Sequence, residues 1–137
     1  MFRRATPADG VFILRLLRGF YNRHCLPAYK IPFDPESAMV TIDEIIAGGI
    51  MLVGPSSYAG AIITPCLWNF EYRLATVMLW GFKTPSGIKI FEAIVDECAK
   101  AGATHLIASS HPPYHVIARH YAKFGLTECE RQHITRL

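Results

Sequence analysis

The chain has 137 residues, of which 51% are hydrophobic and 18% charged, and its net charge is +3. That length fits one ordinary domain over residues 1–137, and that apolar content excludes a disordered tail. The longest apolar run, 74-LATVMLWGF-82, is too short to cross a bilayer, and MFRRATPADG is unlike a signal peptide, so a cytoplasmic protein is expected.

Residues 2-FRRAT-6 read as a short strand. Thr6-Pro7 then caps and opens a helix, because proline suits the first helical position. Val11, Leu14, Leu17 and Tyr21 recur at helical spacing with Arg15 and Arg18 beside them. A proline-containing loop, 26-LPAYKIPFDP-35, leads to a second helix over 36–47, stopped by Gly48-Gly49. A strand at 50–54, a turn at 55-PSS-57 and a returning strand at 58–65 make a hairpin. Residues 66-CLWNFEYR-73 read as a loop or an irregular strand end. The run 74–82 reads as a central strand.

The stretch 83-KTPSGIKIFEAI-94 turns into a third helix, with Ile90, Phe91, Ile94, Val95, Cys98 and Ala99 on one stripe and Gly102 at its end. A strand at 104–109, the polar loop 110-SHPPY-114 and a helix carrying Ile117, Tyr121 and Phe124 follow. The tail 126-LTECERQHITRL-137 reads as strand. The order β-α-α-β-β-β-α-β-α-β gives an α/β (α+β-type) domain. Its sheet is mixed and mostly antiparallel, with one parallel crossover between Leu74 and Ser109.

Cys25, Cys66, Cys98 and Cys129 are scattered without zinc spacing, so free thiols and no metal are expected. Up to Lys30, six basic residues face one acid, Asp9. Such an end either attracts an anionic partner or is a solvated helix face. No nucleic-acid motif accompanies it, and nucleic acid is not an expected partner.

Three segments carry a resemblance to a known family. FRRATPADGVFILRLL is similar to the strand–Thr-Pro-x-Asp–helix opening of the GCN5-related N-acetyltransferases (GNAT). LATVMLWGFKTPSGIKIFEAIVDECAKAGATHLIASS resembles that family's central strand, cofactor loop and crossover helix. The most specific segment is 117-IARHYAKFGL-126, which resembles its A-x-x-x-Y-x-K-x-G-F turn. Within the family, the aromatic-rich central strand and the ERQHITRL ending resemble a phage- and prophage-encoded group, some of it virion-associated.

The resemblance implies a GNAT fold over the whole chain. It implies transfer of an acetyl group from acetyl-CoA, a co-substrate, to an amine on a small molecule, peptide or protein, by direct attack in a ternary complex. Tyr121 matches the family's general acid. Glu71, just before the central strand, and His111, after the next one, are the candidate bases, with Glu71 the better placed. His115, His120 and His133 rank lower.

Leu79, Trp80 and Gly81 match the place where two strands splay around the pantetheine arm. Thr84, Ser86, Gly87, Ile88 and Lys89 fall on the pyrophosphate loop, where helix N–H groups receive the phosphates. There the sequence departs from the family: Thr84 replaces Arg or Gln, and Lys89 replaces a second Gly or Ala. Pro85 also has no N–H to offer. A second expectation is therefore a fold kept for binding or assembly, with a degenerate cofactor corner, acting in a virion or on a host protein. The amine pocket would lie between the first two helices and the strand-end loops. Dimers are common in the family.

Overall fold

A computed structural model describes residues 1–111 and 114–137, apart from the side chains of residues 114–116. Pro112 and Pro113 of the expected polar loop, and the His115 side chain, lie outside the described residues. Five strands form one sheet in the order β1 (Arg3–Arg4), β2 (Ile50–Gly54), β3 (Ser57–Cys66), β4 (Asn69–Phe82) and β5 (His105–Ala108). All neighbours are antiparallel except β4 and β5, which pair in parallel from Leu74↔His105 to Val77↔Ala108. The single parallel crossover is as the sequence reads. This is the expected mixed, mostly antiparallel sheet flanked by helices.

One face of the sheet carries α1 (Gly10–Phe20) and α3 (Pro35–Gly48). Ile13, Leu17, Ile42 and Ile45 close there over Met51, Val53 and Tyr58. The other face carries α4 (Ile90–Lys100), whose Ile90, Phe91, Ile94 and Cys98 cover Leu52, Ala59, Ala75 and Val77. The helix starts follow cap chemistry. Asp9 accepts the Thr6 N–H at 2.8 Å and is forked by Arg3 at 2.8 and 2.9 Å. Asp34 accepts the Ser37 N–H at 3.0 Å in front of Pro35.

The expected loop 26–35 is helical for its first four residues. A π-helical segment (Tyr21–Cys25) continues α1 into α2 (Leu26–Tyr29), which ends at Lys30 with φ +57°. Pro27 is tolerated because it sits in the first turn. The irregular strand end expected at 66–73 is real. Pro65 faces Arg73 and Cys66 faces Asn69, so Phe70, Glu71 and Tyr72 bulge out of the ladder.

The tail is a correction. No strand forms in residues 126–137, and everything from Thr127 onward is exposed. Its only large apolar side chains beyond Leu126 are Ile134 and Leu137, on opposite alternating sets. Neither set offers a face whose burial would offset the entropy of ordering the chain. The final α5 (Tyr114–Lys123) follows β5 as expected.

Candidate functional site

The site is built by two irregularities of β4. Its parallel partner stops at Val77↔Ala108, yet β4 runs on to Phe82, so beyond the end of β5 it keeps β3 as its one neighbour and its other edge is open. At the same level Gly60 faces Leu79 and Ala61 faces Val77, which leaves Met78 as an extra residue. A one-residue bulge reverses which face each following side chain takes. Val77 packs with the α4 core, Leu79 with the α1/α3 core, and Trp80 returns to the α4 core.

Trp80 therefore meets α5. Its indole Nε1–H donates to Tyr121 Oη at 3.0 Å, and Tyr121 donates to the Ser109 carbonyl at 2.6 Å. The chain Trp80–Tyr121–Ser109 bridges the gap where the strands part. Phe91 lies 5.1 Å from Trp80 and 5.2 Å from Tyr121, centroid to centroid, and roofs both rings. Tyr121 is buried, and burial pushes its phenol up to about 12, with the Trp80 N–H pulling the other way. It stays protonated at any pH near neutrality. His120 packs into the same rings with Nε2 buried and without a partner among the described residues. Burial, with Lys123 adding to it, holds its imidazole below the ordinary range.

Gly81 and Gly87 are set by close approach. A Cβ on Gly81 would stand 2.9 Å from the hydroxyl of Tyr58, which is buried and without a partner among the described residues. A Cβ on Gly87 would stand 2.6 Å from Phe82 Cβ and 3.1 Å from Ser57 Cβ. Gly87 thus lets the corner pack onto β3 and β4, and it is buried.

The first turn, Pro85–Lys89, is a 3₁₀ segment. Thr84 holds the extended cap conformation, but its hydroxyl pairs with Ser56 at 2.7 Å and Ser86 at 3.2 Å and makes no cap bond. The Gly87 N–H, expected to be free for phosphates, donates to the Thr84 carbonyl at 2.9 Å. Thr84, Ser86 and Lys89 are exposed and Ile88 half-buried.

The two base candidates part company. Glu71 is exposed in the bulged stretch at the other end of β4. It lies nine positions before Trp80 along the strand, about 25–30 Å at the usual rise. That puts Glu71 at the opposite end of β4 from Trp80 and its partner Tyr121. His111 lies two residues beyond Ser109, so its Cα is within about 7 Å of the carbonyl's residue. Its Nδ1 is 3.7 Å from Cys25 Sγ, and its ring meets Phe20 at 5.7 Å and Tyr29 at 6.0 Å. Burial first, and His24 second, hold the imidazole below its ordinary value. Burial pushes the Cys25 thiol up, so the pair is neutral.

Sequence reasoning missed Cys25 and Tyr58 as neighbours of the site, because each reads as an ordinary apolar position. His133 is exposed in the tail, away from any element. The cysteines are free, with Cys25 and Cys98 buried. Among the described residues no three metal-binding side chains gather, and no helix is long and apolar enough to cross a membrane.

Neither a family model nor a curated protein matches the chain. Solved structures do. A protein of Clostridium difficile 630 described as a possible acetyltransferase superposes with TM-score 0.75 at 11% identity, over 100% of this chain and 96% of that one. A Trypanosoma brucei acetyltransferase gives 0.70 at 17%, over 100% and 99%. Glucosamine-6-phosphate N-acetyltransferase of Arabidopsis thaliana gives 0.68 at 14%, over 99% and 97%. The fold is the GNAT fold. In this chain β4 runs on past β5 beside Tyr121, and the Lys83–Lys89 turn leads from β4 into the crossover helix α4.

Proposed function

We propose that the chain is an acyl-CoA-dependent N-acetyltransferase, acting in the cytoplasm on an amine acceptor. One observation carries this reading: a buried, protonated tyrosine hydroxyl stands where two sheet strands part. Acetyl-CoA, as co-substrate, supplies the thioester. The backbone of Leu79, Trp80 and Gly81, beyond the last β5 partner, would pair with an extended arm as a neighbouring strand would. The chain fits the arm better than the pyrophosphate. At the corner Gly87 is buried with its N–H committed, so the exposed Lys83, Ser86 and Lys89 are the groups that would meet the phosphates.

His111, uncharged at neutral pH and near Ser109, would take the amine proton directly or through one water. Tyr121 would give its proton to the leaving sulfur. Holding amine and thioester side by side supplies much of the rate. The test is calorimetric titration with acetyl-CoA, followed by turnover on an amine panel. The absence of binding at millimolar concentration would sink the reading.

The same corner favours a second reading, a fold kept for binding or assembly in a virion or on a host protein. A stable macromolecular complex without a thermal shift from acetyl-CoA would favour it.

A further inference from the structure

An indole N–H donates and never accepts. Trp80 commits its only polar hydrogen to Tyr121 Oη, whose own hydrogen goes to the Ser109 carbonyl. The phenol oxygen is thus held from both sides, with Trp80 as the donor that survives if the phenol proton leaves. The indole reaches this place only because the Met78 bulge turns it to the α4 face. There Phe82 at 5.7 Å and Phe91 at 5.1 Å pack against its ring.

We infer that Trp80 is the positioning residue of the acid step: its indole N–H aims Tyr121 Oη across the gap between β4 and β5 and stabilises the phenolate left after proton donation. This rests on Tyr121 being the acid. The step balances as follows. The amine nitrogen forms a bond to the thioester carbon, the C–S bond breaks, and its electron pair leaves on sulfur. The Tyr121 proton goes to that sulfur. The amine proton passes through His111 or water to solvent, from which the phenolate is reprotonated. A phenolate in this apolar surround is costly without a donor, and hydrogen bonds to charged oxygen are roughly twice as strong as neutral ones.

The test compares wild type, Trp80→Phe, Tyr121→Phe and the double variant on acetyl thioesters whose thiols span a range of acidity. Benzothienylalanine at position 80, which keeps the indole shape without the N–H, serves if Trp80→Phe does not fold. Loss of the donor should lower kcat about tenfold or more on acetyl-CoA, with KM within about twofold. That loss should shrink as the leaving thiol becomes more acidic, and it should nearly vanish in the Tyr121→Phe background. An equal loss on every thioester, or additivity with Tyr121→Phe, would overturn the inference. So would a variant without the N–H that turns over like wild type while Tyr121→Phe is slow. If Tyr121→Phe itself turns over like wild type, the acid assignment fails, and with it Trp80's role. A wild type that acetylates nothing overturns the acetyltransferase reading first.

Discussion

The two ends of β4 differ both in what surrounds them and in how they meet β3. Both outrun β5: Asn69–Arg73 before Leu74, and Met78–Phe82 after Val77. At the first end the bulged residues stand in water, with Phe70 76% and Tyr72 43% exposed. At the second end α4 and α5 close over the strand, and Phe91 and Tyr121 are buried around Trp80. A strand edge left open by its neighbour tunes the side chains beside it only where a roof removes water. Burial keeps Tyr121 protonated and His111 uncharged, whereas Glu71 stands exposed.

That contrast can be broken at its roof first. Phe91→Ala removes a fully buried ring and should cost about 3–5 kcal/mol in urea unfolding, taking acetyl-CoA binding with it. Tyr121→Phe leaves the roof in place. It should lower turnover about 100-fold or more while the calorimetric affinity for acetyl-CoA changes little. Gly87→Ala forces a methyl against Phe82 and should cost about 1–3 kcal/mol, read as a lower denaturation midpoint.

A pH series sharpens the comparison further. His111 must be uncharged to accept a proton, and its folded value lies below the ordinary 6.5. The acid limb of kcat/KM should therefore fall below that value and disappear in His111→Gln. The linkage has the same sign. The stability His111 contributes is present above its unfolded value and lost as pH drops through the lower folded one. At the other end, Glu71→Gln should leave both turnover and stability within about twofold, as exposed substitutions do.

Much of the fold was legible in residue chemistry. Asp34-Pro35 starts α3 and the apolar stripe from Ile90 makes α4, because caps and periodicity act locally. The π segment was not legible, since one extra residue in a helix leaves no local signature at Tyr21–Cys25. The tail misled because polar residues of high strand propensity, such as Thr127 and Thr135, pattern like a strand without a face to bury. At the candidate site, Tyr121 is singled out in the sequence by the family turn around it. Its bond to Trp80, 41 residues away, depends on a bulge that shifts parity by one, and only the paired strands reveal that shift. Glu71 is close to the central run 74–82 in sequence but stands at the far end of β4 from Tyr121.

The chain has two tryptophans, one in the turn before β4 and one near the far end of that strand. Trp68 faces solvent and should emit at long wavelength and be quenched by iodide, whereas Trp80, packed among Phe82, Phe91 and Tyr121, should emit blue and resist quenching. The molecule therefore carries a fluorescent probe hydrogen-bonded to Tyr121 and an internal reference far from it. Replacing Trp68 with phenylalanine would leave an emission that reports on the surroundings of Tyr121 alone.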